Sequence, residues 1–199
     1  MPRDTGRLRH FLVAPWLVML VATLSLASCA VGSSSIASGA TTTSPTSVQE
    51  QISALASVTQ VDAATNQIRY TTQNVTLVAV GAPPGHEGEY WQIDGRVNPT
   101  VIVPAGAHMM VEVINGDPDT PHGWELTTSA PPYGQMPMMG GMRGGMAMNA
   151  TMAPLPAAHN TQWPMGTLNF TAPPSGVYYY ICQVQDHAQE GMWGKLIVE

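Results

Sequence analysis

Three side chains able to bind a soft metal, Cys182, His187 and Met192, stand near the C-terminus with four residues between successive members. They are flanked by two strand-like runs, the aromatic stretch 176–181 and the alternating stretch 195–198. This constrains the fold, because a thiolate, an imidazole and a thioether on one short loop converge only if the two strands are held rigidly side by side. They are also the ligand types of a type 1 copper site, in which Cys and two His lie in a plane completed by a weak axial Met. A second histidine must then come from elsewhere in the chain. His122 is the candidate, in Thr120-Pro121-His122-Gly123-Trp124, where an apolar strand begins 60 residues before Cys182. Ligands so far apart meet only if both strands finish at the same end of a sandwich.

The rest of the chain agrees with a sandwich. From Ile68 onward, β-branched and aromatic runs recur at 74–80, 89–93, 100–103, 109–114, 124–127, 168–171, 177–181 and 195–198. Turn residues separate them, among them Asn98-Pro99, Pro104-Ala105-Gly106 and Asn115-Gly116-Asp117-Pro118. About eight short strands with regular turns predict an all-β, antiparallel sandwich or barrel. Before the strands, Ser47-Val48-Gln49-Glu50 has the form of a capping box, and Val48, Ile52, Leu55 and Val58 follow at helical spacing, so one short helix is expected there. The segment 130–166, rich in Met, Gly and Pro, reads as one long loop.

The N-terminal 28 residues read as a targeting segment. Arg3, Arg7 and Arg9 precede the apolar stretch 11–26, and Leu26-Ala27-Ser28-Cys29 ends it in the manner of a bacterial lipobox. The expected arrangement is a signal peptide over 1–28, lipidation at Cys29, a flexible Gly/Ser/Thr-rich tether over 29–46 and one domain over 47–199. An uncleaved anchor is the alternative, although the apolar stretch is short of the roughly 20 residues a membrane span needs. Both place the domain outside the cytoplasm, in the periplasm or at the cell surface. A Cys29–Cys182 disulfide would consume the ligand thiolate and is not expected. Of the 7 basic and 13 acidic residues, the first 28 hold three arginines and only Asp4, so the remaining body is strongly acidic. Nucleic acid is a poor partner for it.

With these residues in view, the second half resembles the rusticyanin-like members of the cupredoxin family of blue-copper proteins. The resemblance rests on Tyr178-Tyr179-Tyr180-Ile181-Cys182-Gln183-Val184, His187-Ala188 and Gly191-Met192-Trp193-Gly194-Lys195-Leu196-Ile197-Val198. Asn98-Pro99-Thr100, Ile102-Val103-Pro104-Ala105-Gly106-Ala107 and Pro131-Pro132-Tyr133 add to it, over roughly residues 49–199. The resemblance implies a Greek-key sandwich, one copper ion held by His122, Cys182, His187 and Met192, and single-electron transfer rather than catalysis. It also marks a departure. The resemblance to the rusticyanin-like members implies a serine after the upstream histidine, hydrogen-bonding near the copper thiolate, where this chain has Gly123.

Taken singly, the ligand residues have ordinary roles: Cys182 as a small buried hydrophobe, His187 as a loop residue, Met192 as a gap-filler. Their joint spacing between strands favours copper. Trp124, Tyr133, Trp163, Tyr180 and Trp193 are candidates to exclude water from the metal, or else to form plain core. His187 would be the electron port for redox partners such as cytochromes or a terminal oxidase, with the domain monomeric. The run Met136, Met138, Met139, Met142, Met146, Met148 and Met152 supplies thioethers that select Cu(I), which supports a second reading as a copper-handling chaperone or resistance factor. The bland reading of that run is a Gly-spaced apolar cover, and it is the one favoured. His86, His108 and His159 lack partners at ligand spacing and are expected in exposed loops. Six histidines do not supply the further pairs a multicopper oxidase needs.

Overall fold

The computed structural model describes residues 41–55, 59–85, 87–134 and 146–199. Along the chain lie β1 (Thr41–Thr43), α1 (Pro45–Leu55), β2 (Thr59–Asp62), β3 (Gln67–Tyr70), β4 (Asn74–Gly81), β5 (Trp91–Ile93), β6 (Arg96–Val97) and β7 (Thr100–Val103). Then follow β8 (His108–Asn115), β9 (His122–Thr127), β10 (Met146–Leu155), β11 (Trp163–Thr171), β12 (Gly176–Ile181), α2 (His187–Glu190) and β13 (Trp193–Val198). The strands form two sheets, one ordered β1-β11-β8-β4-β5-β6 and the other β10-β9-β12-β13-β7-β3-β2. The expected all-β sandwich is present, with more strands than the eight read from sequence, and its sheets are mixed rather than antiparallel: β7 runs parallel to β3 and β13, and β4 to β8.

Period-two burial explains the layering. In β13 the side chains alternate between half-buried and buried, and in β8 Met109, Val111 and Val113 face inward. These inward faces meet in one core that includes Ile68, Leu77, Trp91, Ile93, Val101, Trp124, Leu126 and Tyr180. Each large aliphatic buried there contributes about 1.5–3 kcal/mol. The outer face of β4 is apolar as well, because α1 covers it. Val48 and Ile52 of the helix pack with Val78, Val80, Ile114 and Trp163.

Three sequence expectations change here. The helix starts at Pro45 rather than near Val48: Ser44 is its cap, accepting the Ser47 N–H on its hydroxyl at 3.2 Å, and Pro45 occupies the first turn, where no N–H is required. Thr41–Thr43, within the stretch read as tether, pair with Trp163–Met165 of β11, as three β-branched residues readily do. The segment 130–166 is not one loop. Met146–Leu155 forms β10 along β9, with irregular register between Met146 and Thr151 and again between Met152 and Leu155. Of the Met run, Met136, Met138, Met139 and Met142 lie outside the described residues, whereas Met146, Met148 and Met152 belong to that strand.

Candidate metal centre

The centre is assembled from two strand ends and one loop. His122 is the first residue of β9, and Cys182 directly follows β12, which runs antiparallel beside β9. Both therefore lie at one end of the same sheet. From Cys182 the chain turns through α2, which begins at His187, and returns as β13, paired with β12 so that Trp193 faces Ile181. Two hydrogen bonds close this loop: the Cys182 N–H donates to the Met192 carbonyl at 3.0 Å and the Met192 N–H to the His187 carbonyl at 2.8 Å. Gly191 sits at φ 115°, a left-handed conformation that glycine adopts without steric cost. Its carbonyl accepts from the Asn98 side chain at 2.9 Å, anchoring the loop to the turn before β7.

The donor atoms converge. Cys182 Sγ lies 3.5 Å from His187 Nδ1 and 3.8 Å from His122 Nδ1, and the two nitrogens are 3.1 Å apart. For donors about 2.0–2.3 Å from a central ion, a trigonal plane has edges of about 3.5–3.7 Å, so the two edges at sulfur suit one metal ion and the nitrogen–nitrogen edge is the shorter one. Cys182, His122 and Met192 are fully buried, and His187 is 7% exposed. Met192 packs in the same core cluster as Cys182.

The surroundings favour ligation. Asp117 Oδ2 is 3.1 Å from His122 Nε2, so the ring donates its proton there and turns the Nδ1 lone pair to the centre. Burial drives the His122 pKa down to about 4, more than the Asp117 hydrogen bond raises it, and burial likewise lowers His187. Burial also pushes the Cys182 thiol up to about 12, against the backbone N–H groups of Gly123 and Val184 that reach its sulfur. A cation at the triangle's centre is what would hold this sulfur as thiolate. Gly81 lets the backbone approach His122: a Cβ there would stand 3.0 Å from the imidazole. Trp91 meets His122 edge-on at 6.4 Å and Trp124 at 5.1 Å, and Trp124 stacks on Tyr180 at 4.9 Å.

All four expected ligands thus lie at this end of the sandwich, while the aromatic residues divide. Trp124 and Tyr180 form the core beneath the site, Tyr133 and Trp193 belong to a cluster with Ile181 and Ala188, and Trp163 packs under α1, away from the expected shell. Trp91, the ring beside His122, escaped notice as an ordinary strand aromatic. Asp117 and Glu89 also went unread. Asp117 looked like turn chemistry, and in part it is: its Oδ1 accepts the Asp119 and Thr120 N–H groups at 2.8 and 3.1 Å. His108 and His159 are exposed, although His108 opens the strand β8 instead of lying in a loop, and His86 lies outside the described residues.

Gly123 keeps its backbone N–H on the sulfur although it has no side chain to add a hydroxyl there. The space a side chain would take is filled by the Gln183 carboxamide, 2.8 Å from an added Cβ, whose Nε2 donates to the Met152 carbonyl at 2.5 Å. Gly123→Ser should therefore swing Gln183 aside and destabilise the domain by about 1 kcal/mol, the worth of the lost hydrogen bond. Chemical denaturation measures this. Adding Gln183→Ala should remove most of the Gly123→Ser penalty, and a neutral Gly123→Ser would contradict the steric argument.

A two-sheet sandwich with a buried Cys-His-His cluster and a methionine at one end defines a cupredoxin. Residues 63–199 match the model of the sulfocyanin (SoxE) domain. Rusticyanin of Acidithiobacillus ferrooxidans is 29% identical over 185 residues, covering 92% of this chain and 95% of that protein. Rusticyanin of Acidithiobacillus ferridurans is 33% identical over 133 residues, covering 66% and 67%. The solved structure of rusticyanin from Thiobacillus ferrooxidans superimposes with a TM-score of 0.68 at 25% identity, over 81% of this chain and 97% of that one. Reduced rusticyanin gives 0.67 at 26% identity, over 81% and 100%. The chain belongs to the sulfocyanin (SoxE) family and is a rusticyanin-like blue-copper protein, whose donor set fits one type 1 copper ion.

Proposed function

We propose that this chain carries single electrons, with His122, Cys182 and His187 as the strong copper ligands and Met192 as the weak axial one. The observation that carries the reading is the buried triangle of one sulfur and two nitrogens with edges of 3.1–3.8 Å. Copper, when bound, supplies a one-electron couple. The chain's contribution is rigidity: two antiparallel strands fix His122 and Cys182, the 182–192 loop is pinned by its own backbone bonds, and two N–H groups aim at the sulfur. A site that barely rearranges between oxidation states loses little to reorganisation. The Trp91, Trp124 and Tyr180 rings keep water from it on the core side.

His187 is the most exposed of the four ligands and is the electron port in this reading. Its partners would be redox proteins such as cytochromes or a terminal oxidase, met by a monomeric domain outside the cytoplasmic membrane. Lipidation at Cys29 would tether it there, and Cys29 lies outside the described residues. Among the described residues, no helix is long and apolar enough to cross a membrane. The copper-handling alternative gains no support from Met146, Met148 and Met152, which belong to a paired strand.

The test is reconstitution of the protein with copper. The expected outcome is an intense visible thiolate-to-metal absorption, a Cu(II) resonance with narrow hyperfine splitting, and rapid one-electron exchange with a cytochrome in stopped flow. A colourless protein that binds only Cu(I) would exclude the carrier.

A further inference from the structure

Two carboxylates converge on the same imidazole. Asp117 Oδ2 is 3.1 Å and Glu89 Oε2 3.5 Å from His122 Nε2, and Glu89 Oε2 is also 3.4 Å from His187 Nδ1. They reach the ring from different segments, Glu89 from just before β5 and Asp117 from the turn between β8 and β9. Their side chains are only 17% and 13% exposed. The ring has a single Nε2 proton, and the shorter contact assigns it to Asp117. Glu89 Oε2 is buried and accepts no hydrogen bond among the described residues.

Such an arrangement is costly unless a positive charge compensates it, because burying a carboxylate oxygen without a hydrogen bond is strongly unfavourable. Turn geometry alone does not require it. Asn115 already closes the turn, its side-chain amide donating to the carbonyls of Thr120 and Pro156 at 2.8 Å each and its oxygen accepting the Asp117 N–H at 2.9 Å. The Asp119 and Thr120 N–H groups occupy only Asp117 Oδ1, and Oδ2 is left for the histidine. Across the His122 ring from both carboxylates lies the donor triangle, where a cation would sit, and Glu89 also stands beside the triangle's His187 corner.

We propose that Asp117 and Glu89 set the reduction potential of this centre, holding it lower than an uncharged shell would. Fixed negative charge beside the ligands favours the more positive oxidised state over the reduced one, and low solvent access keeps that effect from being screened away. Asp117 is in addition a positioning residue, since its hydrogen bond fixes the tautomer and ring orientation of His122. Glu89 touches the histidines without a hydrogen bond and acts through charge alone. Glu190, exposed on α2, is the natural contrast: it bears the same charge near His187 but stands in solvent.

The inference rests on the copper reading of the site. It is tested by potentiometry on the copper-loaded protein and its Asp117→Asn, Glu89→Gln and Glu190→Gln variants, at mildly alkaline pH and at two ionic strengths. The visible band and the Cu(II) resonance are recorded for each. Asparagine has one oxygen where Asp117 uses two, so Asp117→Asn gives up either the His122 bond or the Asp119 and Thr120 N–H groups and should cost some stability, whereas Glu89→Gln disturbs no hydrogen bond and need not cost the fold. The expected result is a shift of each buried variant's one-electron equilibrium toward reduction by at least tenfold, about 59 mV for one electron. The band should be retained and the shift should hardly respond to salt. Glu190→Gln should shift far less, and its shift should fade with salt. Should Asp117→Asn lose the band, confirming its hold on the ligand, Glu89→Gln alone decides the charge effect. Unchanged potentials with intact bands overturn the inference and leave the copper reading standing. No band in the unmodified protein overturns both.

Discussion

Replacing Cys182 by Ala should abolish the visible absorption of the copper-loaded protein and its one-electron exchange while leaving the metal-free sandwich folded. The side chain is fully buried in the main core, and exchanging a thiol for a methyl leaves only a small void, so the metal-free form should lose about 1 kcal/mol. The larger consequence is in linkage. A metal that binds only the folded chain adds about 4 kcal/mol of stability when its free concentration is 1,000 times the dissociation constant. For a domain of this size each kcal/mol moves the melting midpoint by about 2–4 °C, so copper should raise the parent's midpoint by about 10 °C. In Cys182→Ala, two buried imidazoles and a thioether remain, and most of that shift should vanish. Calorimetry with and without copper measures both quantities. If the variant kept the full copper-induced shift, the thiolate would not be a ligand.

This centre was legible from sequence because its chemistry is concentrated. Cys182, His187 and Met192 sit on one short loop between two strand-like runs, and His122 opens the short run that carries Trp124 and Leu126. What escaped are contacts that no local pattern records. Glu89 and Asp117 come from separate turns, and only the packing of β5 against β4, and of β4 beside β8, brings them to one imidazole. The strand β10 was hidden for a different reason. Met146–Leu155 is poor in β-branched and aromatic residues and becomes a strand through its partner β9, with breaks in register that blur the alternation further. The start of α1 shows a weaker form of this. Two serines are available to cap it, and Pro45, which needs no N–H bond, selects Ser44.

Gly194 exemplifies a constraint that packing alone discloses, and Gly194→Ala should be among the most damaging single substitutions in the domain. The residue lies on β13 directly opposite Tyr180 of β12, whose ring passes over it. A Cβ at this position would fall on the Tyr180 hydroxyl and 2.8 Å from Cε2. The ring has little freedom to retreat. Its hydroxyl donates to the Pro99 carbonyl at 2.5 Å, it is 1% exposed, and it stacks at an interplanar angle of 6° on Trp124, which packs in turn on Trp91 beside His122. Overpacking of a filled core costs about 1–3 kcal/mol, and with every neighbour fixed the upper end applies, lowering the melting midpoint by about 10 °C. Tyr180→Phe removes the clashing oxygen and forfeits the hydrogen bond to Pro99, worth about 1 kcal/mol. Combined with Gly194→Ala it should recover part of the loss, so that the double-mutant cycle shows a coupling above about 1 kcal/mol. A Gly194→Ala protein within about 0.5 kcal/mol of the parent, as stable as an ordinary surface variant, would show that Tyr180 can move. In that case the aromatic stack could not be what holds the core face of the metal centre, and the rigidity of His122 would have to come from Gly81 and Asp117 alone.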